Sequence, residues 1–405
     1  RRRGSPLSDP FLLSGADPKM KKATLLGLVL ATLVGCSTGF LMSGGQLPPR
    51  LRSAKVSRRQ LTAATALQVS RRQLTGATAL QASSLGKEST ARDVIEFFQP
   101  DLAGKTCLLT GGNTGVGLEA AKALAARGCR VVLTTRDKKA TEAQILQEIR
   151  SEGLGGYAVP TADVSILELE LSDFASIERL AEDFLAQEQR LDFLVLNAGV
   201  GGVRGKVTKQ GFEWQMGVNH FGHVRLTQLL LPKMKAQPFT SRVVTLSSMA
   251  HASGKIDPGD LMCSKNDLWG YGSYAHSKLA NLLFARGLHA RLKAEGKTNV
   301  VSCALHPGVV PTRLWRHFPW LLRKTLVAKI LDRDIPQGAA TTVYACVAPE
   351  LGVFETGGGK YLNDCAFADS SPAGSDASLQ DALWEETERQ IAGVLVGRGA
   401  AVPSS

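Results

Sequence analysis

The sequence predicts an α/β domain: one doubly wound parallel sheet with helices on both faces, preceded by a non-globular N-terminal leader. Two observations from about residue 100 onward predict the sheet. Short apolar runs without polar alternation recur, which is the pattern of strands buried on both faces. Amphipathic stretches of helical length separate them. The leader follows from the charge distribution. Residues 1–90 hold 14 Lys/Arg against 3 Asp/Glu, which is +11 of the chain's +12, so the other 315 residues are nearly neutral at +1. That near-neutral body makes no electrostatic case for nucleic-acid binding.

The leader is read as residues 1–95. After Lys21 and Lys22 comes an apolar stretch over 23–42, the composition of a secretory signal or a membrane anchor. Residues 48–86 are basic and rich in Ser, Thr and Ala, and no acid occurs between Asp17 and Glu88. This segment contains a 13-residue tandem repeat, VSRRQLTAATALQ at 56–68 and VSRRQLTGATALQ at 69–81, differing only at Ala63 and Gly76. Two copies are too few for a solenoid and read as a duplicated targeting segment. A signal followed by a transit-type segment resembles the bipartite leaders of plastid proteins, which implies a plastid location. Leu33-Val34-Gly35-Cys36 also resembles a bacterial lipoprotein cleavage box, and an uncleaved anchor, as in the endoplasmic reticulum, is the third reading. Residues 96–395 form the expected catalytic domain and 396–405 a flexible tail.

Within the domain the strands are expected at 105–110, 130–134, 191–196, 242–246 and 300–305, with the third in order at either 157–159 or 166–171. Helices are expected at 118–127, 139–152, 174–188, 212–236, 273–294 and 337–348. The seven cysteines form no CxxC and no Cys/His cluster with zinc spacing. They read as free, buried thiols in a reducing compartment. His220, His223 and His251 have no metal partners in the sequence and read as structural, so no metal site is expected.

Between the first strand and the first helix lies Thr110-Gly111-Gly112-Asn113-Thr114-Gly115-Val116-Gly117. Glycines there let the backbone turn tightly and approach a pyrophosphate, and the helix N-terminus offers free N–H groups to it. Further pieces follow in order: Asn197-Ala198-Gly199, Asn219, Ser248, Tyr274-Ala275-His276-Ser277-Lys278 and His306-Pro307-Gly308. With the spacing TGxxxGxG, this set resembles the short-chain dehydrogenase/reductase family over residues 100–390. The resemblance implies a Rossmann-type fold and a nicotinamide cofactor. It also implies a catalytic set of Asn219, Ser248, Tyr274 and Lys278, in which Lys278 also binds the nicotinamide ribose and Asn219 holds a water in a proton relay. Tyr274 and Lys278, four apart on a helix, share one face. A nearby ammonium and a cationic nicotinamide would draw the phenol's pKa towards working pH.

The cofactor-binding residues implied are Gly111, Asn113, Thr114, Gly115, Val116, Gly117, Arg136, Glu170, Leu171, Asn197, Ala198, Gly199, Tyr274, Lys278, Pro307 and Gly308. Glu170 stands where the family has an Asp on the adenine side, with Asp163 as rival. At the end of the second strand Thr135 occupies the place of the acid that holds the NAD ribose, and Arg136 follows it. A guanidinium binds a 2′-phosphate bidentately, so NADP(H) is expected over NAD(H).

The texts GFEWQMGVNHFGH at 211–223, SSMAHASGKI at 247–256, YAHSKLANLLFARGL at 274–288, LHPGVVPTRL at 305–314 and IPQGAATTVYACVAPEL at 335–351 resemble one branch. It includes retinol dehydrogenases, WW-domain oxidoreductases and the dehydrogenase associated with the chloroplast inner-envelope translocon. An insertion over 250–272 is typical of that branch. The branch implies an oxidoreductase acting on a lipophilic carbonyl or alcohol. The alternatives are an NADP(H)-sensing accessory protein of a plastid membrane complex and a protochlorophyllide reductase-like enzyme. The segment 313–331, with Trp315, Phe318 and Trp320, is expected to cover the substrate and could touch a membrane; a homodimer is a further expected partner.

Overall fold

The computed structural model describes residues 85–151, 162–262, 270–317 and 331–399. The apolar and repeat-bearing parts of the leader, the strand alternative at 157–159, and Phe318 and Trp320 lie outside these residues. Among the described residues eight strands form one sheet: β1 (Thr106–Leu109), β2 (Arg130–Thr135), β3 (Val164–Glu168), β4 (Phe193–Leu196), β5 (Ser241–Leu246), β6 (Val300–Leu305), β7 (Tyr361–Asn363) and β8 (Ala366–Ala368). Their order is β3-β2-β1-β4-β5-β6-β7-β8, parallel throughout except for the β7–β8 hairpin. The ambiguous third strand is thus the Ile166 alternative, begun two residues earlier.

The helices are α1 (Ala91–Phe98), α2 (Gly115–Ala125), α3 (Lys138–Ser151), α4 (Phe174–Gln187), α5 (Gly222–Ala236), α6 (Tyr271–Ala294), α7 (Ile335–Val347) and α8 (Ala377–Gly399). A short turn, Trp214–Met216, and a π-helical turn, Gly217–Phe221, lead into α5.

Unbroken apolar strands follow from the helices on both faces. Cys107 and Leu109 of β1 point into one core, shared with α1, α2 and α7. Leu108, between them, points into the other, shared with α4, α5 and α6. Period-2 side-chain alternation thus feeds two cores from one strand. The described cysteines, Cys107, Cys129, Cys303, Cys346 and Cys365, are free and buried, and burial raises their thiol pKa values.

Helix α1 straddles the boundary expected at 95/96. Thr90 and Asp93 form a reciprocal capping box at its start, and Ala91, Val94 and Ile95 are buried. Phe98 meets Tyr344 of α7 at 5.7 Å between ring centroids. Helix α8 likewise crosses the boundary expected at 395/396 and packs on α6, with Trp384 stacked on Phe284. No helix among the described residues is long and apolar enough to cross a membrane.

Strand order reverses at β1, with β2 on one side and β4 on the other. A crevice opens at such a switch point, beyond the carboxyl ends of the strands.

Candidate active site

A cleft of about 240 Å³ lies there. Its floor is the turn after β1. Gly111 has φ +68°, and a Cβ on it would come within 2.9 Å of the Ala198 backbone. A Cβ on Gly117 would meet Asn197 Nδ2 at 2.4 Å. Thr114 makes no side-chain capping bond, so the first N–H groups of α2 stay open to an anion. Glycines, open amides and the adjoining Asn197-Ala198-Gly199 turn fit a dinucleotide pyrophosphate.

Hydrogen bonds lock the two turns together. Asn197 Nδ2 donates to the carbonyls of Thr110 (2.8 Å) and Gly111 (3.1 Å). Thr110 Oγ1 accepts from the amides of Asn197 (2.9 Å) and Ala198 (3.0 Å) and contacts His223 Nε2 at 2.9 Å. His223 Nδ1 lies 3.0 Å from the carbonyl of Asn219, which can only accept. Nδ1 therefore carries the proton, and Thr110 donates to Nε2. Burial holds this imidazole neutral, with its pKa lowered to about 4.

We expect His223→Leu to remove the imidazole that links the Thr110 hydroxyl to the Asn219 carbonyl. That would cost about 2–4 kcal/mol in denaturant unfolding, with His223→Gln recovering part of it. An unchanged midpoint for the leucine variant would refute the clamp.

Tyr274 and Lys278 stand on α6 and both line the cleft. Ser248, the residue before the 3-10 turn Met249–Ser253, hydrogen-bonds the Tyr274 side chain. Ser247 lines the cleft, but its hydroxyl donates to the Lys278 carbonyl at 2.6 Å, which leaves Ser248 as the hydroxyl facing the phenol. Lys278 Nζ donates to the Leu246 carbonyl at 3.1 Å. Burial lowers its pKa to about 8.

The expectation that Lys278 draws the phenol towards neutrality is not met by the protein alone. Burial pushes Tyr274 up to about 12 against the opposing Ser248 hydrogen bond. The Lys278 ammonium stands 5.7 Å from the ring centroid and is turned to a carbonyl.

Asn219 sits in the π-helical turn and does not line the cleft. Its Oδ1 accepts from Val200 N at 2.8 Å. Its Nδ2 donates to the Val200 carbonyl and to Ser277 Oγ, each at 2.9 Å. Both Nδ2 protons thus brace the β4 loop against α6, and Oδ1 keeps a second lone pair.

Of the expected cofactor residues, Gly111, Asn113, Thr114, Val116, Gly117, Arg136, Glu170, Leu171, Asn197, Ala198, Gly199, Tyr274, Lys278 and Pro307 line the cleft. Gly115 and Gly308 do not. Gly115 starts α2 with its Cβ position 3.2 Å from Thr312 Cγ2, and Gly308 turns at φ +87° beneath Arg333. Glu170 is preferred over Asp163 by position: Asp163 is ion-paired with Arg130 at 2.6 Å, and Glu170 Oε1 accepts from Ser172.

The sequence set missed Thr134, whose hydroxyl accepts from Gly111 N at 3.2 Å, and also Trp214, Val218, Thr312, Arg313, Leu314 and Arg316. Unused cations on a near-neutral body were the available signal for the last group. His220, His223 and His251 are buried and held neutral by burial. Among the described residues no cluster could hold a metal ion.

The family model described as short chain dehydrogenase matches residues 105–319. The chain is 40% identical to retinol dehydrogenase 12 of Homo sapiens over 283 residues, 70% of this chain and 85% of that protein. It is 38% identical to the chloroplastic short-chain dehydrogenase TIC 32 B of Brassica napus over 316 residues, 75% of this chain and 93% of the other. Among solved structures, an uncharacterized protein from Mycobacterium paratuberculosis superposes with a TM-score of 0.57 at 32% identity, covering 75% of this chain and 98% of that one. On the family model, these identities and the doubly wound sheet together, the chain belongs to the short-chain dehydrogenase family.

Proposed function

We propose that the protein is an NADP(H)-dependent oxidoreductase that interconverts a lipophilic carbonyl and its alcohol, with Tyr274 as general acid and base. The observation that carries this reading is the placement of the Tyr274 phenol, hydrogen-bonded by Ser248, in the same cleft as the glycine turn. The nicotinamide, when bound, supplies or takes the hydride. Tyr274 gives its proton to the oxygen of the reduced carbonyl, or removes it from the alcohol. Ser248 holds that oxygen in place, and the buried Lys278 ammonium keeps positive charge beside the phenol as its proton leaves.

Leu314 packs on the Tyr274 cluster with Ala250 and Ala275, which supports an apolar substrate. Arg136 beside Thr135 supports the 2′-phosphate. The chloroplastic relative supports a plastid location, which import of the full chain into isolated plastids would test.

A substrate screen following absorbance of the reduced cofactor tests the reading, using retinoids, chlorophyll precursors and fatty aldehydes with NADPH and NADH in parallel. Turnover with NADPH exceeding that with NADH is expected; no turnover of any carbonyl or alcohol would count against it.

The pH profile carries its own sign. Lys278 loses its proton as pH rises through about 8, whereas Tyr274 keeps its own until about 12. Carbonyl reduction needs both protons in place, so kcat should hold below about pH 8 and fall above it. Alcohol oxidation needs the phenolate and should rise with pH over the same range. A flat reduction profile from about pH 6 to about pH 10 would remove Lys278 from the mechanism.

A further inference from the structure

Three arginines line the cleft from two distant segments. Arg136 follows β2; Arg313 and Arg316 belong to the 3-10 turn Arg313–His317 after β6. This turn is anchored, because Trp315 Nε1 donates to the Val310 carbonyl at 2.9 Å and Thr312 N donates to the same carbonyl at 2.8 Å. Thr312 sits against Gly115, so the turn lies over the N-terminus of α2. Leu314, between the two arginines, packs on the Tyr274 cluster.

The side-chain bonds of Arg316 go to His317 Nε2 at 2.8 Å and to the Arg313 carbonyl at 3.4 Å. Among the described residues, none of the three guanidiniums is paired with a carboxylate. Partial burial, with Arg136 and Arg313 nearby, holds the Arg316 pKa below its usual value. Like charges gathered in one concave site repel, and a bound anion relieves them. The basicity is local, because the chain beyond residue 90 carries a net charge of only +1.

We infer that Arg313 and Arg316 complete, with Arg136, a phosphate-monoester site for the 2′-phosphate of the dinucleotide. The turn after β6, and not the end of β2 alone, then sets the choice of NADP(H) over NAD(H). The inference rests on the dinucleotide reading above. Its physical basis is the fit of guanidinium forks to a phosphate dianion and the place of Arg136, just past the strand end that receives the adenosine ribose. Because the same turn carries Leu314, the phosphate also holds an apolar side chain against the catalytic tyrosine. A phosphate carried by the substrate has the same chemistry, and the choice of probe separates the two sources.

Calorimetric titration of the full chain with 2′,5′-ADP and with 5′-ADP is the test, since neither probe needs turnover. Wild type is expected to bind 2′,5′-ADP about 10–100-fold more tightly, a gap that closes as salt rises. R313Q/R316Q should lose most of that gap while keeping its affinity for 5′-ADP and its melting temperature. R136Q should lose a similar share.

A double variant with the full gap would overturn the inference. Equal loss for both probes would move the arginines to the pyrophosphate and overturn it as well. A gap lost in R136Q but intact in R313Q/R316Q would leave the NADP(H) reading standing and assign the two turn arginines to a substrate anion, against the inference. No gap in wild type would sink the NADP(H) reading itself.

Discussion

Replacing Tyr274 by Phe is expected to lower kcat for carbonyl reduction by about 10²–10⁴. Dinucleotide affinity should stay within about threefold, because uniform binding elsewhere in the cleft is untouched. The phenyl ring keeps its packing against Ala250, Ala275 and Leu314, so the fold has no reason to suffer. What disappears is the Ser248-bonded hydroxyl proposed to pass a proton to the substrate oxygen. A control stands one turn away. Tyr271 is a half-buried phenol, bonded to Ser253 Oγ at 3.0 Å, and it does not line the cleft. Tyr271→Phe should therefore keep turnover within a few-fold. Equal losses in both variants, or none in either, would remove Tyr274 from the chemistry.

The high pKa of Tyr274 gives that experiment a direction. With burial holding the phenol protonated up to about 12, the proposed donation of its proton to the substrate oxygen needs no prior protonation step. Oxidation asks the same group to lose its proton against burial. The reductive and oxidative directions are therefore expected to have different pH optima, which the two pH profiles read.

The parts of this arrangement that could be read from the sequence are those encoded locally. β6 is an unbroken apolar run, VVSCAL, and the structure starts and ends it at the expected residues 300 and 305. The glycine turn and the Tyr/Lys pair are likewise short-range patterns tied to one element each. Features decided by long-range packing were not visible. α1 is only eight residues long and lies next to the leader, so its capping box at Thr90 and Asp93 was overlooked. The π-helical turn at Gly217–Phe221 differs from an α-helix only in hydrogen-bond register, which periodicity does not record. β7 and β8 are three residues each, too short for any pattern. Thr312, Arg313 and Arg316 reach the cleft only because the chain after β6 folds back over α2, some 200 residues earlier in sequence. The partners of the Asn219 amide were not visible for a related reason: Val200 and Ser277 are not near it in sequence.

Gly111→Ala is expected to abolish dinucleotide binding and to destabilise the fold by about 2–5 kcal/mol. Two costs add at this position. Its φ of +68° is the left-handed region that an L side chain adopts only with strain. Its new Cβ would also stand 2.9 Å from the Ala198 Cα, a backbone atom that cannot rotate away. Relief would require moving apart the turns after β1 and β4, which are tied by the Thr110 and Asn197 hydrogen bonds. Gly205→Ala separates the terms, because Gly205 has φ +63° and nothing within 4 Å of its Cβ position. It should show the strain alone, about 1–2 kcal/mol, with dinucleotide affinity retained. The difference between the two variants in denaturant unfolding measures the collision. If both lose the same stability and both still bind the dinucleotide, the close approach of the two turns is not what shapes the cradle.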